Sequence, residues 1–224
     1  MERRSIAGKV EVRENEDGTK TISGLGAPYY DGTERTEYVI RDSKGNVMFR
    51  ERIMPGAFDG MLSRPDDVRG LWNHNSDIVL GRNKAGTMRI SVDAEGPRYE
   101  IDVPDTQAGH DAVVSIQRGD VTGSSFGFRV RATEDNPGQR WIYEDDTEIR
   151  ELVSLEIRDF SPVTYPAYTA TEGKLSARDE ESALQAYNEH RAENDEKAKE
   201  EAEKAKAEAD ALRLIGDVME MESQ

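Results

Sequence analysis

Cysteine is absent from the 224 residues, which excludes disulfides, thiolate nucleophiles and cysteine-based zinc sites. No apolar run reaches the length of a membrane span, and the opening Met1-Glu2-Arg3-Arg4 lacks the apolar stretch of a secretory signal, so a soluble protein made in a cytoplasm is expected, with no membrane partner. Basic residues are in deficit, 30 Lys and Arg against 46 Asp and Glu for a net charge of −16. That balance argues against a general nucleic-acid binder, which needs clustered cations to neutralise phosphates. Histidine occurs only three times, so any chemistry that needs an imidazole has few places to find one.

What is present divides into three parts. Residues 1–20 form a polar arm, in which Lys9-Val10-Glu11-Val12-Arg13 reads equally well as an edge strand or as a loose segment. Residues 21–172 form the body, long enough to bury its own core. Its alternating runs, Thr87-Met88-Arg89-Ile90-Ser91-Val92 and Arg98-Tyr99-Glu100-Ile101-Asp102-Val103, are separated by the turn residues Ala94-Glu95-Gly96-Pro97. Short alternating strands of this kind predict a β-rich α+β fold, mainly an antiparallel β-barrel or a sandwich. Two helices are expected to interrupt it, over residues 55–62 and 106–118, the second with Ala112, Val113 and Ile116 at helical spacing. Residues 173–224 form a charged tail of Glu, Ala and Lys without proline from Leu175 onward, which predicts a long exposed helix.

Two segments of the body carry candidate chemistry. In Gly123-Ser124-Ser125-Phe126-Gly127-Phe128, strand alternation puts Ser124, Phe126 and Phe128 on one face and Gly123, Ser125 and Gly127 on the other. The aromatic face belongs in the core. Ser125 then points away from it between two residues without side chains, so that another backbone can approach closely, as a nucleophile attacking a peptide carbonyl requires. Taken alone, the segment fits a bulge or a tightly packed strand more readily. Ser124, on the buried face, is the weaker nucleophile.

A serine hydroxyl needs an imidazole to accept its proton. His74, in Leu71-Trp72-Asn73-His74-Asn75, is preferred to His110 at a polar helix start and to His190 in the tail. A metal site at His74 and Asp77 is a weaker proposal, since no further ligand pattern completes it. For the carboxylate that orients the imidazole, the run 151–163 offers Asp159 in register with Val153, Leu155 and Ile157, and a carboxylate on an apolar face needs a partner. Glu156, on the opposite face beside Arg158, is second choice, because a bulge near Ser161-Pro162 would reverse the assignment. No cofactor is implied.

Taken together in order, Phe49-Arg50-Glu51-Arg52-Ile53-Met54-Pro55-Gly56-Ala57-Phe58, Trp72-Asn73-His74-Asn75, Val79-Leu80-Gly81-Arg82, Ser124-Ser125-Phe126-Gly127-Phe128 and Phe160-Ser161-Pro162-Val163-Thr164-Tyr165-Pro166-Ala167-Tyr168 resemble the tailed-bacteriophage prohead proteases over residues 21–170. The resemblance implies a serine endopeptidase packaged in the immature capsid, in the host cytoplasm. Such an enzyme digests scaffold or the scaffolding segment of the major capsid protein precursor, and often itself. It implies a relation in fold to the herpesvirus assembly proteases, hence a barrel surrounded by helices. It puts the family's histidine on His74 and its serine on Ser125. The family commonly carries glutamate where this sequence has Asp159, a departure that leaves the third member least defined. Backbone N–H groups are the expected oxyanion donors on general grounds.

On this reading the tail acts like a scaffolding segment that guides packaging. A homo-oligomer is left open. Two other classes remain: a non-enzymatic scaffold or assembly chaperone, in which the barrel binds capsid protein, and a small-molecule-binding barrel, which the polar residues around His74 and Ser125 disfavour.

Overall fold

The computed structural model describes residues 1–6, 10–42, 44–63, 66–166 and 177–222. In chain order the strands are β1 (Glu2–Ile6), β2 (Glu11–Glu14), β3 (Lys20–Leu25), β4 (Glu37–Arg41), β5 (Val47–Ile53), β6 (Arg69–Trp72), β7 (Asn75–Arg82), β8 (Met88–Val92), β9 (Pro97–Asp102), β10 (Gly123–Val130), β11 (Gln139–Glu144), β12 (Thr147–Leu152) and β13 (Leu155–Val163). Helices α1 (Asp59–Ser63) and α2 (Gln107–Gln117) interrupt them, and α3 (Ala177–Glu222) ends the chain. By contacts the chain separates into two compact units, Met1–Ser182 and Ala183–Gln224. The residue 172–173 boundary expected from composition, and Lys9 of the expected first strand, lie outside the described residues.

The strands build three sheets, in the orders β1-β10-β13-β6-β7, β11-β12-β5-β4 and β2-β3-β9-β8. Among the described residues none of them closes, which corrects the expectation of a barrel. Closure needs the outermost strands of one sheet to hydrogen-bond each other with a fixed stagger, and here β1 and β7, β11 and β4, and β2 and β8 remain edges. Alternation along a strand reports which face is buried, not which strand lies beside it. The fold is nonetheless β-rich and mostly antiparallel; β12 with β5 and β13 with β6 are parallel.

The two alternating runs of residues 87–92 and 98–103 form the antiparallel pair β8 and β9, matched from Met88 opposite Ile101 to Val92 opposite Pro97. Helix α2 buries Ala112, Val113 and Ile116, the positions that recur at helical spacing. Its N-cap Thr106 accepts a bond from the Gly109 N–H at 3.2 Å, satisfying one of the orphan donors of the first turn. The other helix starts later than its sequence implies. Gly56 adopts φ 89°, a left-handed conformation that glycine takes without steric cost, and the chain turns tightly through Ala57 N–H to Met54 C=O at 3.0 Å before α1 begins.

The core of the first unit draws on all three sheets. Tyr99 of β9 stacks on Phe160 of β13 with ring centroids 5.5 Å apart, and Phe126 stacks on Phe128, two residues along β10, at 5.3 Å. Phe126, Phe128, Phe160, Tyr99 and Ile101 are all fully buried, so β10 and β13 are anchored by their apolar faces, and truncating any one of these rings to Ala is worth about 3–5 kcal/mol. That anchoring fixes the direction in which the opposite faces of β10 and β13 present their polar side chains.

Candidate active site

Sheet β1-β10-β13-β6-β7 brings three of the sequence-selected residues together. Ser125 lies on β10, and Asp159 on the adjacent β13, where Gly127 pairs with Asp159 and Ser125 with Ser161. His74 lies in the two-residue turn between β6 and β7, whose ends Trp72 and Asn75 pair across it. Asn73 and His74 both take positive φ, 51° and 56°, the primed turn that suits the right-handed twist of a hairpin. Asn tolerates this region; for His it costs on the order of 1 kcal/mol, the kind of strain that persists only where surrounding bonds hold it.

Those bonds run to the end of β13. The Asn73 N–H donates to the Pro162 carbonyl at 3.1 Å, its amide nitrogen to Thr164 Oγ1 at 3.1 Å, and the Thr164 N–H to Asn73 Oδ1 at 2.9 Å. The turn is thereby fastened to the strand that carries Asp159. His74 Nδ1 lies 2.5 Å from Asp159 Oδ1, and Nε2 lies 2.5 Å from Ser125 Oγ. The side chains of His74 and Asp159 are only 9% and 4% exposed, so water competes weakly for either bond.

The β10–β13 pairing shifts register between Gly127 and Phe128, with Phe128 opposite Ile157 and Arg158 the extra residue. The bulge lies nearer the middle of β13 than the Ser161-Pro162 position considered from sequence, and it corrects the expected register: Asp159 leaves the face of Leu155 and Ile157 and sits opposite Gly127, on the face of Ser161 and Ser125. Asp159 is buried on the site. Glu156 pairs instead with Arg158 at 2.9 Å, both side chains at least a third exposed. Gly127 makes room for the carboxylate, since a Cβ there would collide with Asp159 Oδ2. Of the remaining sequence candidates, Ser124 donates to the Tyr99 hydroxyl at 3.1 Å on the core side, and His110 sits 3.1 Å from exposed Asp105.

Sequence reasoning passed over Ser161. Its hydroxyl donates to Asp159 Oδ1 at 2.8 Å and lies 3.3 Å from His74 Nδ1. The signal was available: Ser161 falls two residues beyond Asp159 and so shares its strand face. It also passed over the buried ions at the other side of β10. Arg4 on β1 is fully buried and binds Glu51 on β5 twice, Nε to Oε1 at 2.6 Å and Nη2 to Oε2 at 2.9 Å. Glu51 Oε2 also accepts from Arg150 Nη1 of β12 at 2.9 Å, and Glu2 of β1 bridges Arg150 and Arg4 at 2.6–3.0 Å. Burial works against the charge on Glu2, but Arg4 and Arg150 outweigh it and hold its carboxyl below the ordinary range. Glu51 alternates with Phe49 and Ile53, the same carboxylate-on-an-apolar-face signal that selected Asp159.

A hydroxyl, an imidazole and a carboxylate joined in series, each at hydrogen-bonding distance from the next, can pass a proton from oxygen to nitrogen and stabilise the resulting imidazolium. No curated protein and no solved structure matches the chain significantly. The profile of the caudovirus prohead serine protease family does match, over residues 8–186, and on that match the chain belongs to the family of phage capsid-maturation serine proteases.

Proposed function

We propose that the chain is the endopeptidase that cleaves scaffold, or the scaffolding segment of the major capsid protein precursor, and also itself, inside the prohead. Ser125 is the nucleophile, His74 the general base and acid, and Asp159 the orienting carboxylate. The observation that carries this reading is the pair of 2.5 Å contacts that His74 makes, one from each ring nitrogen, to Asp159 and to Ser125.

With the Nδ1 proton donated to Asp159, Nε2 is left as an acceptor. It takes the Ser125 proton as Oγ attacks the scissile carbonyl carbon. The negative charge develops on the carbonyl oxygen. The imidazolium then returns its proton to the leaving amine, the C–N bond breaks, and an acyl ester remains on Ser125. Water, deprotonated by the same nitrogen, hydrolyses that ester. Ser161 holds Asp159 Oδ1 in line, a positioning role. The charged helical tail is proposed to guide packaging, on the strength of its composition alone.

Incubating wild-type and Ser125→Ala proteins with the cognate capsid precursor and weighing the fragments tests the assignment. Cleavage by the wild type should fall by about 10⁶-fold in the variant, the scale seen when a catalytic serine is removed, with the fold retained. Identical fragments from both proteins would defeat it, and would favour the assembly-chaperone alternative.

A further inference from the structure

If Ser125 is the nucleophile, its surroundings pose a contradiction. The residue is 1% exposed, so no peptide reaches it as the chain stands. Strand β1 lies directly beside it, paired antiparallel along β10 from Glu2 opposite Phe128 to Ile6 opposite Ser124, with Ser5 opposite Ser125. Within that pairing the Arg4 carbonyl oxygen lies 2.9 Å from Ser125 Oγ. A hydroxyl has one proton. It can go to the Arg4 carbonyl oxygen or to His74 Nε2, so the Arg4 peptide group competes with the imidazole for Ser125.

We propose that β1 stands in the substrate's place. The substrate is then an extended peptide added as an antiparallel strand to the β10 edge, with an arginine whose carbonyl meets Ser125 and whose guanidinium binds Glu51; β1 is its intramolecular competitor. This inference rests on the protease reading above. Addition of a strand to a sheet edge is a common mode of peptide recognition, with main-chain bonds supplying affinity and side-chain pockets selectivity.

Three features of the fold support it. First, β1 is the outermost strand of its sheet, so its departure disrupts one pairing only. Second, the Arg4 side chain enters a built pocket. Glu51 meets it in the two-pronged geometry that suits a guanidinium, and the Phe128 ring lies 5.5 Å beneath. Third, the ion cluster divides without stranding a charge. Glu2 and Arg4 leave together on β1, while Glu51 keeps Arg150 at 2.9 Å. Removing only one partner of a buried pair is what proves costly, and β1 carries one charge of each sign out of the cluster. Once it leaves, Glu51 Oε1, which Arg4 occupies, becomes free to accept an incoming arginine.

The test uses a fluorophosphonate, which labels an activated serine irrespective of peptide sequence. Labelling of Ser125 in the full chain should accelerate at least about tenfold in the double variant Glu2→Ala, Arg4→Ala, because the rate scales with the fraction of molecules in which β1 is displaced. A synthetic hexapeptide of residues 1–6 should slow labelling of that variant again, and the same peptide with Arg4→Ala should not. An unchanged rate in a variant whose circular dichroism is native, or equal competition by both peptides, overturns the proposal. Should the double variant fail to fold, hydrogen exchange in the unaltered chain decides. Amides of β1 should exchange at least about tenfold faster than those of β13, and equal protection counts against a displaceable strand. Absence of labelling in every protein, together with an uncut capsid precursor, defeats the protease reading itself. Equal labelling of wild type and variant defeats only the role of β1.

Discussion

Two buried polar clusters flank strand β10, and they are built on opposite principles. On one side His74, Ser125, Asp159 and Ser161 share connected hydrogen bonds around an imidazole whose charge changes in the proposed reaction. On the other, Glu2, Arg4, Glu51 and Arg150 hold two charges of each sign in fixed mutual contact. The first cluster tolerates burial because its members can remain neutral or share one charge; the second tolerates it because its charges cancel. Burial of polar groups suits proton transfer where a proton can move, and fixes register where it cannot. The carbonyl of Arg4 against Ser125 is where the two meet.

The largest expected effect lies at Asp159. Asp159→Asn keeps the size of the side chain but favours the wrong tautomer of His74, and should lower kcat for precursor cleavage by about 10⁴-fold, on the precedent of other hydroxyl–imidazole–carboxylate sites. A loss below about tenfold would assign the orienting role elsewhere, with Glu156 the first alternative. The ion cluster predicts a loss of a different kind. Glu51→Gln leaves Arg4 and Arg150 buried with less than their balancing charge, and should cost about 3–5 kcal/mol of unfolding free energy in urea titration, while a variant that stays folded keeps Ser125 and His74 intact. If the stability is unchanged, the cluster contributes nothing to the register of β1. The smallest effect tests the support within the first cluster. Ser161→Ala removes one bond to Asp159, a loss of about 1 kcal/mol and so roughly fivefold in kcat with little change in KM. A shift in KM alone would give Ser161 a role in binding rather than in positioning.

Strand alternation made one part of the candidate site legible and missed another. It separated Ser125 from Ser124, and the structure has the two hydroxyls pointing to His74 and to Tyr99 respectively. Alternation expected Asp159 on the face of Leu155 and Ile157, and the bulge at Arg158 instead sets it opposite Gly127, on the face of Ser125 and Ser161. The same rule applied to Glu51 would have exposed the second cluster, and applied to Ser161 would have found the support for Asp159. The conformation of His74 was less accessible, because a left-handed turn at Asn73-His74 is held by Pro162 and Thr164, some 90 residues away in sequence.

Helix α2, the β8–β9 hairpin and the long helix α3 follow from local patterns: apolar positions at helical spacing, alternation broken by a Gly-Pro turn, and an unbroken run of helix-forming Glu, Ala and Lys. Strand partnership does not follow from them. That three sheets stay open instead of closing into a barrel, that β13 lies between β10 and β6, and that Glu2–Ile6 pairs along the strand carrying Ser125 were decided only by the tertiary structure. The reason is physical. A local pattern specifies which face of an element must leave water, whereas the neighbour that covers it is selected by the packing of rings and the cancellation of buried charges contributed by distant parts of the chain.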